Sequence, residues 1–187
     1  MRYVGLTGVY LVAAAALAAA GCGEPRATIR YATGGPAESV GYDSATFQLI
    51  RDRKVRIILF RLAAAPVGEA DPDFEYLFFE LPERAQYGWL RADRVPAYRW
   101  VHKSGRNYVW LGFAGQVQLR MRDAKQHLSF DFRVTMEPVA GTPGAAYVLA
   151  GKPGVVEDPV KTQSLINRYG ERLSAIVNPK PAEEQTK

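Results

Sequence analysis

The chain has 187 residues, with 24 lysine and arginine residues, 19 aspartate and glutamate residues and a single cysteine, Cys22. This length suits one ordinary domain with a sizeable core. One cysteine excludes a disulfide framework, so packing and hydrogen bonds must stabilise the fold. The net charge of +5 is too small to predict nucleic-acid binding. With only two histidines, a zinc or copper cluster of histidine and thiolate ligands is excluded, and we expect no cofactor.

The first 21 residues have the layout of an export signal. Arg2 supplies a positive charge, residues 4–20 are apolar and rich in alanine, and small side chains precede Cys22. This segment resembles the lipobox of bacterial lipoproteins, in which leucine, a small residue and glycine or alanine come before the cysteine; here Ala19 stands at the leucine position. The resemblance implies removal of residues 1–21 and acylation of Cys22, which would anchor the protein to a membrane.

Two other interpretations of this segment remain open. It could be an ordinary cleaved signal with a chance cysteine, or an uncleaved N-terminal helix, since an apolar run of about 18 residues is at the lower limit for spanning a bilayer. Under the lipoprotein interpretation, the acyl chains on Cys22 would exceed the two signals that stable anchoring needs. Gly23, rather than an aspartate, follows the cysteine. By resemblance to lipoprotein sorting in bacteria with two membranes, this implies the periplasmic side of the outer membrane.

The mature chain is expected to begin with a short tether, residues 22–26. Residues 27–32 alternate between apolar and polar side chains, which favours a first strand, although the sequence leaves open whether they are strand or linker. Glycines and Pro36 predict a loop over residues 33–44.

The remaining pattern predicts an all-β domain over residues 27–178, with eight or nine antiparallel strands in a sandwich or a partly open barrel. The predicted strands after the first are residues 45–51, 55–62, 74–81, 97–102, 106–113, 116–122, 127–137 and 145–150.

One amphipathic helix is predicted over residues 159–177, packed on the sheet. Asp158 is a suitable N-cap and Pro159 a suitable first helical residue. A stripe of apolar residues would face the sheet: Leu165, Ile166, Tyr169, Leu173, Ile176 and Val177. Asn178 and Pro179 end the helix, and residues 179–187 are expected to be a disordered tail.

Four aromatic residues are the candidate ligand-binding set: Tyr98, Trp100, Tyr108 and Trp110. A three-residue hairpin loop, residues 103–105, would place Trp100 opposite Tyr108 and Tyr98 opposite Trp110, with all four rings on one face. Such a face could stack on sugar rings or line a lipid pocket, or it could simply be core.

No catalytic site is expected. His127, Ser129 and Asp131 have the residue types of a hydrolase triad, but alternate residues of a strand are about 6.6 to 6.8 Å apart along its axis. A nucleophile and its base need contact at about 2.6 to 3.2 Å.

Three functional hypotheses follow from the sequence. The first is a non-enzymatic envelope lipoprotein that holds to the membrane through Cys22 and binds or organises an envelope protein or a wall polymer. The second is a carrier of a small apolar ligand in a β calyx, because a meander followed by one late helix looks like the lipocalin-type calyx proteins. The third, an envelope hydrolase, has no supporting group of residues.

Overall fold

The structure, a computed structural model, describes residues 24–32, 34–51, 53–63, 72–82, 88–123 and 127–178. The export signal, Cys22 and the predicted tail lie outside these residues. Among the described residues, eleven strands form one sheet. They are β1 (Arg26–Tyr31), β2 (Glu38–Gly41), β3 (Ser44–Ile50), β4 (Lys54–Leu62), β5 (Phe74–Pro82), β6 (Leu90–Arg91), β7 (Ala97–Lys103), β8 (Arg106–Asp123), β9 (His127–Pro138), β10 (Tyr147–Gly151) and β11 (Gly154–Glu157).

The sheet closes on itself as a partly open barrel. Its strand order is β2-β1-β10-β9-β11-β3-β4-β5-β7-β8-β6, and the long β8 also pairs with β9. That pairing joins β9, β11, β3, β4, β5, β7 and β8 into a ring. One edge of β9 pairs with β8. The other edge pairs with β11 near its start and with β10 further along, and β1 and β2 extend the sheet beyond β10. The predicted all-β class is therefore confirmed.

Short strands account for most of the differences from the predicted elements. Strand β1 settles the open question about residues 27–32, which are strand rather than linker. Strand β2 lies inside the predicted loop 33–44, so that part of the loop prediction is wrong. The predicted strands 106–113 and 116–122 are one continuous strand, β8, so that division is wrong. The sheet has eleven strands rather than eight or nine because β2, β6 and β11 were not predicted. The β11–β3 pair is parallel, whereas every other pair is antiparallel.

The predicted C-terminal helix is confirmed. It consists of α1 (Pro159–Leu165), a π-helical turn (Ile166–Gly170) and α2 (Glu171–Val177). The Lys161 N–H donates to Asp158 Oδ1 at 2.8 Å, so Asp158 is the N-cap. Among the described residues, no helix has the length and apolar character to cross a membrane.

Two apolar clusters lie on opposite sides of the sheet. The interior cluster fills the barrel with residues from all long strands, among them Leu77, Phe79 and Phe130. The helix-side cluster lies between the C-terminal helix and the outer face of β4, β5, β7 and β8. Its buried members are Ile58, Phe74, Tyr76, Trp100, Val109, Tyr169 and Leu173. All six residues of the predicted helix stripe pack in this cluster.

Candidate functional site

The β7–β8 hairpin has a different register from the predicted one. Its turn has two residues, Ser104 and Gly105, which both have positive φ (50° and 73°). This is the backbone of the tight hairpin turns that match strand twist. Trp100 therefore lies opposite Val109 instead of Tyr108. The predicted three-residue loop is wrong, because Ser104 adopts a left-handed conformation like Gly105 and the two residues alone close the hairpin.

The one-residue change in register separates the four candidate aromatic residues. Tyr98 and Trp100 now face the C-terminal helix, whereas Tyr108 and Trp110 are on the barrel side of β8. Successive residues of a strand point to opposite faces, so a slip of one residue between partners is enough to divide the set. The prediction of a single aromatic face is wrong. A role in ligand binding stays a prediction, now for two separate pairs.

Trp100 is a core residue of the helix-side cluster. It is 0% exposed, and its Nε1–H donates to Asn107 Oδ1 at 3.0 Å. Its ring makes edge contacts with Phe74 and Tyr169, at centroid distances of 4.8 and 6.1 Å. The guanidinium of Arg172 lies 5.6 Å from the ring centroid. A ligand has no access to this ring unless the helix moves.

Tyr98 is different, because it lines an open groove beside the last turn of the helix. This helix-end groove has a volume of about 180 Å³. The sheet and the helix supply its lining: Arg56, Tyr76, Phe78 and Tyr98 on one side, and Ile166, Gly170, Leu173, Ser174, Val177 and Asn178 on the other. The π-helical turn supplies Ile166 and Gly170, and such turns often occur at functional sites.

The floor of the helix-end groove is a row of aromatic rings. The Tyr76 and Phe78 rings are nearly parallel, at 4° and 6.3 Å between centroids, and Tyr98 follows at 6.0 Å from Phe78. Burial raises the pKa of Tyr76 well above its ordinary value, so its hydroxyl stays protonated at neutral pH. Flat apolar rings beside polar groups suit a ligand with one apolar face, such as a sugar ring.

A carboxylate fixes Arg56, the one guanidinium among the described residues that line the helix-end groove. Glu80 accepts from Lys54 Nζ at 2.8 Å and from Arg56 Nε at 3.0 Å. Partial burial raises the pKa of Glu80, but the hydrogen bonds from Lys54 and Arg56 outweigh burial and hold it below its ordinary value. Arg56 therefore reaches the groove already paired, as an oriented hydrogen-bond donor.

A second polar group, the interior ion network, is centred on Glu75 and Arg99 inside the barrel and includes Arg61, whose side chain is 45% exposed. Glu75 is 1% exposed and accepts hydrogen bonds from Arg99 Nε at 2.8 Å, Tyr42 Oη at 2.7 Å and Arg61 Nη2 at 3.1 Å. Arg99 Nη1 also donates to Tyr147 Oη at 2.9 Å. Both carboxylate oxygens of Glu75 therefore accept hydrogen bonds, and the Arg99 guanidinium donates to two partners. Such pairing is the condition for burying an ion pair.

The interior ion network shifts the acidity of its members. Burial raises the pKa of Tyr147 to about 12, although the nearby Arg99 charge opposes the change. Burial, followed by the negative charge of Glu75, raises the pKa of Tyr42 well above its ordinary value. Burial opposes the charge on Arg99, but Glu75 outweighs it and raises the pKa of the guanidinium. At neutral pH Tyr42 and Tyr147 are therefore neutral and Arg99 is charged.

Side chains fill the barrel interior next to this network. The rings of Phe79, Phe130 and Phe132 contact each other at centroid distances of 4.7 to 5.2 Å. Arg99 lies over the Trp110 ring at 5.2 Å, and Trp110 Nε1 is buried without a hydrogen-bond partner among the described residues. These side chains occupy the space that a ligand in a β calyx would need.

No protein-family model, curated protein or solved structure matches this chain. The site must therefore be interpreted from its own chemistry. Within the described residues, no group of three or more histidine, cysteine, aspartate or glutamate side chains is arranged to hold a metal ion.

The residue types of the hydrolase hypothesis do not converge on one another. Ser129 Oγ is buried and has no hydrogen-bond partner in the described part of the chain. Asp131 contacts Lys152 at 3.8 Å. His102 Nδ1 lies 2.8 Å from the amide oxygen of Asn107, and its Nε2 is buried without a described partner. A nucleophile in contact with its base, the core of such a site, is not formed by these residues.

The interior ion network is the polar group that the sequence analysis missed. The sequence contains a signal for this network, because Glu75 lies on the same face of β5 as the interior residues Leu77 and Phe79. Arg99 likewise alternates with Ala97, which is also interior. A charge on the apolar face of each of two strands indicates a buried pair.

The beginning of β1 decides how far the fold lies from the predicted anchor. The Tyr42 N–H donates to the Pro25 carbonyl at 2.8 Å, and β1 begins at Arg26. Arg26 also pairs with Glu24 at 2.8 Å. Pro25, which makes the first backbone bond to the fold, is the third residue after Cys22, so the reach between them is at most about 11 Å.

Proposed function

We propose that this chain is a membrane-anchored cell-envelope lipoprotein whose β domain is a non-enzymatic binding or structural module. The supporting observation is the order of features at its N-terminus: an apolar export signal, small residues, Cys22, and a strand that begins at Arg26. An acylated Cys22 would hold the barrel against the lipid surface. The proposed partner is an envelope protein or a wall polymer.

Metabolic labelling tests the anchor. Cells that express the chain are grown with a fatty acid that carries an alkyne, and the purified protein is then coupled to a fluorophore. We expect label on the wild type and none on Cys22→Ser, because the thiol is the acceptor of the acyl groups. An unlabelled wild-type protein would contradict the proposal and favour an ordinary signal or an uncleaved helix.

The helix-end groove is the proposed binding site of the module. Its row of rings ends at Tyr98, with Arg56, Ser174 and Asn178 as polar groups beside it. This combination suits a sugar ring of a wall glycan, which offers an apolar face and hydroxyl groups at its edge. Tyr98 is the one residue of the predicted aromatic set that takes part.

Calorimetric titration with soluble wall-glycan fragments tests this site. Tyr98→Ala should raise the dissociation constant by roughly three- to tenfold, the range expected for one aromatic contact. Tyr108→Ala is the matched control, since this ring lies on the other side of the sheet, and it should leave the constant unchanged. Equal effects of the two substitutions, or no binding by the wild type, would contradict a glycan site in the groove.

A further inference from the structure

An open groove on the outer face of β1, β10 and β9 carries exposed positive charge close to the predicted anchor. It has a volume of about 600 Å³. Arg30, Arg133 and Lys152 are its basic residues, and all three are exposed. Asp131, the carboxylate in the lining, lies 3.8 Å from Lys152. Arg30 and Arg133 make no ion pair with any described residue.

Strand register explains why these cations share one face. Thr28 pairs with Ala150, and Ala150 pairs with Arg133, so the three form one row across β1, β10 and β9. Arg30 is two residues further along β1 and therefore points to the same side. Strand spacing then puts Arg30 and Arg133 roughly 12 Å apart. Ala27 and Ile29, each 1% exposed, alternate along β1 with Thr28 and Arg30 and point to the barrel interior.

One half-exposed tryptophan borders the same face: Trp89 is 47% exposed and lines the groove. Tyr31 also borders the groove, but it alternates on β1 with the outward residues Thr28 and Arg30, and its ring packs on the interior Tyr147 at 5.8 Å. Tryptophan and tyrosine are favoured where protein meets the headgroup region of a bilayer, because their rings are apolar at one end and polar at the other. The exposed cations and the Trp89 ring together make this surface suited to a layer of anionic lipid headgroups.

We infer that this outer face of β1, β10 and β9 docks on the surface of an anionic lipid bilayer. The inference rests on the proposed anchoring through Cys22. The tether ends beside this face, because the Arg26 carbonyl lies against Gly151, which lines the groove. So short a tether keeps the cations within tens of ångströms of the lipid. At this face of the protein, the bilayer is therefore the anionic partner with the highest effective concentration. Each cation near an anionic surface adds attraction that falls off within a Debye length.

A chemically tethered protein tests the lipid-facing surface. The chain from residue 22 onward retains both apolar clusters, which use residues of β1 to α2 only. Its single thiol is coupled to a maleimide lipid in vesicles of phosphatidylcholine alone, or with one third phosphatidylglycerol. The measurement is quenching of Trp89 fluorescence by aqueous acrylamide, with Trp89→Phe used to subtract the other two tryptophans.

We expect Trp89 to be protected on the phosphatidylglycerol vesicles and exposed on phosphatidylcholine, with protection lost in high salt. Arg30→Gln and Arg133→Gln should each reduce the ratio of docked to undocked protein by roughly fivefold. Lys161→Gln, which removes an exposed cation from α1, is the matched control and should change nothing. Equal protection on both vesicles, or insensitivity to the two arginine substitutions, would overturn the inference.

A soluble polyanion gives the remaining arm of the experiment. If polygalacturonate protects Trp89 more strongly than the charged vesicles do, the face belongs to an anionic polysaccharide and the lipid assignment is wrong. Because Cys22 is coupled chemically, none of these results depends on acylation in the cell. A failure of acylation overturns the proposed function alone, whereas an accessible Trp89 overturns this surface alone.

Discussion

The two apolar clusters use opposite faces of the same strands, yet they are enclosed in different ways. Strands surround the interior cluster, and the ion pair of Glu75 and Arg99 is buried within it. A single helix covers the helix-side cluster, and that cover ends at Val177 beside an open groove. We therefore expect the interior cluster to dominate the stability of the fold. The helix-side cluster leaves surface that a partner can reach.

Matched leucine truncations give the largest expected difference between the clusters. Leu77 is 0% exposed inside the barrel, and Leu173 is 6% exposed under the helix. Leu77→Ala should lower the free energy of unfolding by about 4 to 5 kcal/mol, and Leu173→Ala by about 2 to 3 kcal/mol, because a helix beside a groove can relax into the cavity. Urea denaturation measures both values. Val160→Ala, at an 82% exposed position, is the control, and equal costs for the two leucines would contradict the comparison.

Removing one buried charge should be nearly as costly. Glu75→Gln leaves Arg99 buried without its counter-charge and should cost about 3 to 4 kcal/mol. Glu80→Gln is the matched change on the outer face of the same strand, and it should cost about 1 kcal/mol or less, since Lys54 and Arg56 are better solvated. Thermal unfolding of both variants tests this. If Glu75→Gln and Arg99→Met combined cost as much as the sum of the singles, the two side chains are not coupled.

Alkaline pH should weaken the interior cluster through Tyr147. The folded-state pKa of Tyr147 is raised from 10.0 to about 12, so its stabilising contribution is complete below pH 10 and is lost as the pH rises towards 12. The loss expected from this group is about 2 to 3 kcal/mol. Unfolding free energy, followed together with tyrosinate absorbance, measures it. Tyr147→Phe should show a shallower decline than the wild type, and an identical decline would contradict the assignment.

The smallest expected effect concerns the helix start, at the edge of the helix-side cluster. Asp158→Ala removes the acceptor for the Lys161 N–H and should cost about 1 kcal/mol. Asp158→Ser keeps an N-cap oxygen and is the control, with a cost of a few tenths of a kcal/mol at most. Differential scanning calorimetry suits changes of this size. Similar losses in both variants would mean that the cap does not act through its side chain.

Local signals predicted the helix well, since its cap, first proline and apolar stripe all lie within one segment. The alternation of residues 116–122 and 127–137 likewise predicted β9 and the second half of β8, although the continuity of β8 from Arg106 was missed. Strand β2 lacks such alternation, and it forms because its partner β1 offers a free edge. Pairing across the chain is not written in a local pattern, so short strands of this kind escape prediction.

The candidate site was harder to predict because register controls it. The aromatic content of the hairpin was evident, but a single positive φ at Ser104 decides which rings share a face. Tyr98 and Trp110 end on opposite sides of the sheet for this reason. Glu75 and Arg99 carried a usable signal, a charge on an apolar strand face. Their meeting still required the β5–β7 pairing, which only the fold supplies.

The intact mass of the membrane-extracted protein tests the central claim most directly. A lipoprotein should have lost residues 1–21 and gained the mass of its acyl chains at Cys22, and Cys22→Ser should lack both changes. This result would establish the short tether from which the position of the barrel at the membrane follows. A wild-type protein whose mass matches the unmodified chain, or one cleaved elsewhere without added acyl mass, would contradict the account.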